Sequence, residues 1–96
     1  MKLLTKELEK KLPALYSTDE IDVHEKLIVC KFFTPDSSWT WYAVEYDDGV
    51  FFGLVDGFEK EWGYFTLAEL ESARGNLGLP VERDMYFTPK KYKDLF

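Results

Sequence analysis

Apolar positions in this chain come in short runs divided by turn-forming residues. The two longest adjacent runs, Trp39–Tyr46 and Val50–Val55, bracket the dipeptide Asp48-Gly49. Asp-Gly between apolar runs predicts a β-hairpin, because a type I′ turn needs positive φ at both central residues. A two-residue loop sets Tyr46 opposite Phe51, Glu45 opposite Phe52 and Trp41 opposite Asp56. That register gives one face Thr40, Tyr42, Val44, Tyr46, Phe51, Gly53 and Val55, and the other Trp39, Trp41, Ala43, Glu45, Phe52, Leu54 and Asp56. Neither face is polar, so both need cover or one is left as a surface patch.

The flanking segments predict further elements. Thr5 caps a short helix over Lys6–Leu12 that Pro13 closes. Ser17–Lys26 is polar and reads as a flexible loop near residues 17–26. KLIVCKFFT follows as a strand in which Ile28, Cys30 and Phe32 share a face. After the hairpin, Asp56-Gly57 turns the chain into FEKEWGYF, whose charges suit an edge strand. Thr66 and Glu69 form a capping box for a second helix, with Leu67 and Leu70 buried and Gly75 at its C-terminal end. Extended structure is predicted around Val81–Phe87, then a frayed tail near 89–96. The result is an α+β chain, 1–96 as a single small domain. Its antiparallel three- to four-stranded meander carries two short helices, one N-terminal and one after the last meander strand.

Composition sharpens this picture. Aromatic residues make up 18% of 96 positions, and such rings let a small domain reach a sufficient core. The net charge is −6, but it is unevenly placed. Residues 32–72 carry nine acidic residues against Lys60 alone. A negative block of that size argues against direct nucleic-acid binding. No apolar run approaches the ~20 residues that span a bilayer, and the N-terminus is too charged for a signal peptide. The expected setting is cytoplasmic, with no membrane partner. Cys30 is the only cysteine and lies in an apolar strand, so it reads as a buried, inert thiol.

Candidate chemistry is sparse. Trp39 and Trp41 share a strand face with Glu45, which would make an aromatic platform of the kind enriched at binding hot spots. Asp36, Glu45, Asp47, Asp48, Asp56, Glu59 and Glu61 lie on strands and turns of one meander, a negative surface suited to a basic protein groove. Arg74, Glu82, Arg83 and Asp84 are read as structural ion pairs holding the post-helix segment to the sheet. No catalytic residue, metal ligand or cofactor is assigned.

The segments LLTKELEKKLPALYST, VCKFFTPDSSWTWYAVEY, FFGLVDGFEKEWGYFTLAELESARG and GLPVERDMYFTPK carry a resemblance over nearly the whole chain. They resemble a bacterial plasmid- and phage-associated family catalogued as a domain of unknown function, DUF2958. The resemblance implies a mobile-element accessory protein and transfers no catalytic role to any residue. The expected function is therefore non-enzymatic: an inhibitor of a host defence nuclease, of anti-CRISPR or anti-restriction type, docking on a basic host protein through an acidic aromatic sheet surface. The alternatives are a small ligand-binding protein or enzyme with a carboxylate/Arg/Trp site, or a homodimer that buries the second hairpin face.

Overall fold

The computed structural model describes residues 1–96. In chain order the elements are helix α1 (Lys6–Lys11), strands β1 (Leu27–Ile28), β2 (Cys30–Phe33), β3 (Thr40–Asp47), β4 (Val50–Asp56) and β5 (Lys60–Thr66), helix α2 (Leu67–Ser72), and strands β6 (Glu82–Arg83) and β7 (Lys90–Lys91). Single 3-10 turns lie at Val23–Glu25 and Tyr92–Asp94. Five strands form an antiparallel sheet in the order β5-β4-β3-β2-β6, and β1 pairs separately with β7. The α+β class and the two short helices hold, and β6, from the stretch read as extended, adds a strand to the expected meander.

The hairpin turn sits where the sequence puts it. Asp48 has φ 44° and Gly49 φ 85°, so both central residues are left-handed. Next to the turn the register is as expected, Tyr46 against Phe51 and Glu45 against Phe52. Beyond Glu45 it shifts by one residue, a β-bulge at Val44, and Trp41 pairs with Val55 rather than Asp56. The cause lies across the ladder. The Tyr42 carbonyl oxygen occupies the space that a Cβ at Gly53 would fill, so β3 bends against bare backbone.

The bulge reverses the predicted faces of Thr40–Val44 and leaves those of Tyr46 and β4 as expected. Trp41, Ala43, Tyr46, Phe51 and Val55 belong to one layer, while Tyr42, Val44 and Leu54 belong to the other. Trp41 and Phe52 therefore stand on opposite sides of the sheet, and Glu45 is parted from the tryptophans. The first strand is corrected in the same way. It breaks at Val29, whose N–H donates to the Ala43 carbonyl at 2.9 Å, so Ile28 joins one layer and Cys30 and Phe32 the other.

The first layer is the larger. Phe51 stacks on Phe65 at 5.2 Å and meets Phe32 edge-on at 5.6 Å. Leu3, Leu4 and Leu12 from the N-terminal segment, Leu70 from α2, and Val81 close over them. Thr66 caps α2 as predicted, its Oγ1 accepting from Glu69 N–H at 3.0 Å. The helix ends at Ser72 with Ala73 as its C-cap, short of Gly75. Gly75 serves another purpose: the Asp36 carboxylate rests where its side chain would be, and Asp36 Oδ2 accepts from Leu77 N–H at 2.6 Å and Leu79 N–H at 3.2 Å.

The second layer answers what covers the other hairpin face. Ile28, Tyr42, Val44 and Leu54 lie beneath Trp62, Tyr92 and Leu95. Phe96 meets Tyr42 edge-on at 5.6 Å, and Tyr92 N–H donates to the Lys26 carbonyl at 2.9 Å. Residues 89–96, read from sequence as a frayed tail, are seated on the sheet. The reason is aromatic content: Tyr92 and Phe96 gain burial that the tail's lysines hide in a sequence average. No helix is long and apolar enough to span a membrane.

Candidate functional site

Glu45, placed by sequence on a binding platform, is 2% exposed. Because β3 has bulged, its carboxylate points beneath the 13–18 segment. Oε1 accepts from Tyr16 N–H at 2.8 Å and Oε2 from Thr18 N–H at 3.0 Å, with the Thr18 hydroxyl as a further donor. Lys26, also buried, donates to the Thr18 carbonyl at 2.6 Å and to its Oγ1 at 3.1 Å. A buried carboxylate is tolerable only when its lone pairs are filled in this way. Tyr16, held here at a left-handed φ of 70°, is a bulky residue that would otherwise avoid that conformation. Glu45 thus pegs one end of the 17–26 loop to the sheet and has no surface to offer a partner.

The arginines also differ from expectation. Arg74 Nη1 donates to the Glu71 and Ala73 carbonyls, and Arg83 Nη1 to the Lys2 and Leu3 carbonyls at 2.6 and 2.7 Å. No carboxylate pairs with either guanidinium. The expected Arg74, Glu82, Arg83 and Asp84 ion pairs are replaced by caps on backbone oxygens, which a five-donor fork satisfies as well as it does a carboxylate. Of the four, only Asp84 forms an ion pair, with Lys31 at 3.7 Å, and its N–H donates to the Lys31 carbonyl, so it does tie the post-helix segment to β2.

The remaining candidates divide between the two ends of the hairpin. Asp47 and Asp48 are exposed at the β3–β4 tip. Trp39, Asp56, Glu59 and Glu61 gather at the opposite end, where β3 begins and β4 turns into β5. There Trp39 packs on Trp41 at 6.0 Å and meets Phe58 edge-on at 5.3 Å. Trp39 lies flat on Gly57, where any side chain would strike the indole. Trp39, Val55, Phe58, Glu59 and Glu61 line an open cleft of about 370 Å³. A smaller hollow of about 250 Å³ between Trp39, Trp41, Ala73 and Arg74 continues the aromatic ridge.

Phe58 was missed in the sequence. It is 94% exposed at the head of this corner, and its signal is a lone aromatic inside a charged turn, DGFEKE. An exposed ring beside two carboxylates suits a cationic side chain, which gains both the ring quadrupole and the negative charge. The structure therefore brings together Trp39, Trp41, Glu59 and Glu61, with Arg74 beside the tryptophans, and separates them from Asp56 on the other face and from Glu45, Asp47, Asp48 and Arg83. Cys30 is buried, and that burial pushes its thiol up to about 12, so it has no nucleophilic role at neutral pH.

No curated protein and no solved structure matches this chain. A family model, described as protein of unknown function (DUF2958), matches residues 3–93, and the chain belongs to that family.

Proposed function

We propose that this protein is a non-enzymatic, protein-binding accessory of mobile genetic elements, and that it inhibits a host defence nuclease of CRISPR or restriction type. The observation that carries the reading is the corner of Trp39 and Phe58 flanked by Glu59 and Glu61, which offers an aromatic anchor and negative charge in one place. A nuclease must hold a polyanion and so presents a basic groove. A compact surface of carboxylates around an apolar anchor is the complement of such a groove. Buried aromatic anchors supply most of the affinity at such contacts, and the surrounding charges supply rate and selectivity.

The test is transfer of plasmid or phage DNA into cells whose restriction or CRISPR nuclease is active, with and without this protein. Expression raises the survival of incoming DNA. Glu59→Lys combined with Glu61→Lys removes the protection, and Asp47→Lys with Asp48→Lys, at the far hairpin tip, leaves it. With a purified nuclease, Phe58→Ala weakens binding by about a hundredfold, the ~2–3 kcal/mol of a hot-spot ring. Protection that survives the Glu59/Glu61 reversal refutes this surface as the docking site.

A further inference from the structure

β5 is the outer strand on one side of the sheet, and no strand lies beyond it. Leu67 N–H donates to the Gly49 carbonyl at 2.9 Å and Gly57 N–H to the Glu59 carbonyl at 3.2 Å. With unbroken register between them, hydrogen-bonded pairs toward β4 fall on Glu61, Gly63 and Phe65. Alternation then turns the N–H and C=O of Trp62 and Tyr64 outward, away from β4. No turn, loop or cap bond reaches those groups.

Side chains make this edge adhesive rather than guarded. Trp62 lies against Phe52 at 5.9 Å, and Tyr64, which is 55% exposed, lies against Phe52 at 5.2 Å. The strand's two charges, Lys60 and Glu61, stand at its first two positions, and its centre is Trp-Gly-Tyr. A long edge with uncharged aromatics at its middle is a ready template for another strand.

We propose that β5 pairs antiparallel with β5 of a second copy of this chain, about a two-fold axis at Gly63, joining two five-stranded sheets into one. The sequence KEWGYFT is self-complementary about that glycine. Trp62 of each copy falls opposite Tyr64 of the other, so the outward groups exchange N–H···O=C bonds in both directions and the rings meet across the strands. Lys60 falls opposite Thr66 and Glu61 opposite Phe65, so no like charges meet. An axis at Trp62 or Tyr64 would leave the strands overlapping only in part, whereas Gly63 as centre aligns every residue of β5. At that centre the backbones come closest, about 4.5 Å between Cα atoms in a non-hydrogen-bonded pair. Nothing else approaches the position, since a Cβ on Gly63 meets no atom within 4 Å. The pairing uses neither Trp39 nor Phe58.

Light scattering on the full chain over a wide concentration range reads the mass. The wild type rises to twice the monomer. Tyr64→Pro, which removes an outward N–H that has no partner within the chain together with the half-exposed phenol, and places a proline ring on the edge, stays folded by circular dichroism and monomeric. Under mild oxidation Gly63→Cys forms a linked dimer many-fold faster than Glu71→Cys, exposed on α2. Cα atoms about 4.5 Å apart lie within disulfide reach, and buried Cys30 does not compete. A wild-type mass that is monomeric at every concentration overturns the proposal. A folded Tyr64→Pro that stays dimeric, or cross-linking no faster at 63 than at 71, overturns it equally. If Tyr64→Pro does not fold, the cross-linking rates decide.

Discussion

The two faces of one sheet are closed by different physics. The Phe51 face is filled by apolar side chains, with Phe32, Phe51, Phe65 and Leu70 almost wholly buried. The Tyr42 face has only four buried apolar residues, and its cover is completed by the Glu45–Thr18–Lys26 network and by a C-terminal segment of half-buried aromatics. Apolar burial is non-directional and scales with area. A hydrogen-bonded peg is directional, contributes modestly when complete, and costs heavily when one partner is taken away. The first face should therefore respond to volume and the second to chemistry.

The largest effect tests the first half of that contrast. Phe51→Ala leaves a cavity among stacked rings and should cost ~3–5 kcal/mol, read as a lower urea midpoint with unchanged slope. Glu45→Ala comes next, at ~2–3 kcal/mol, because it orphans the buried N–H and hydroxyl of Thr18 and the partly buried N–H of Tyr16. Its particular mark is faster hydrogen exchange at Tyr16 and Thr18, with Glu45→Gln falling between. Equal exchange in the variant and the wild type would erase the distinction between the faces. Third, Tyr92→Ala with Phe96→Ala should cost ~1–2 kcal/mol through lost apolar burial, and it should shift Trp62 fluorescence to the red as water reaches the indole.

The smallest effect is electrostatic. Glu25 receives Lys91 Nζ at 2.8 Å and Lys93 Nζ at 2.7 Å, and these bonds draw its carboxyl from 4.5 down to about 2. A depressed carboxyl contributes its stabilisation fully above the unfolded value. Here the contribution is whole above 4.5 and fades as pH falls through about 2. Amide shifts of the 90–96 segment should follow that window, while those around Phe51 stay fixed. Since all three groups are solvent-exposed, added salt should weaken the effect.

What the sequence disclosed, and what it withheld, follows from range. The Asp48-Gly49 turn, the Thr5 and Thr66 caps and the edge character of β5 are local matters, each decided by a few adjacent residues. The bulge at Val44 depends on Gly53 lying across the ladder with its missing side chain toward Tyr42, a contact that spacing along one strand does not contain. Once the bulge is missed, Glu45 and Trp41 fall on the same side by arithmetic alone, and the predicted platform follows from that error. The tail was obscured for a related reason: its lysines are local, and the partners of its rings are Tyr42 and Trp62, far back in the chain. The acidic corner was half legible, with Trp39, Glu59 and Glu61 recognised and Phe58 passed over.

Val44 acts as a phase shifter in this hairpin. On its turn-proximal side odd and even positions address one pair of layers, and on its far side the parity is exchanged. Excising that one residue would leave charge and both turns intact and make Ala43–Gly53 and Glu45–Phe52 successive pairs of a regular ladder, so Thr40–Ala43 would keep its sides. Tyr42 would stay beneath the C-terminal aromatics, and Trp41 would stay on the helical side. A length change of one is thus absorbed at Val44, whereas elsewhere in the strand it would turn every following side chain to the other layer.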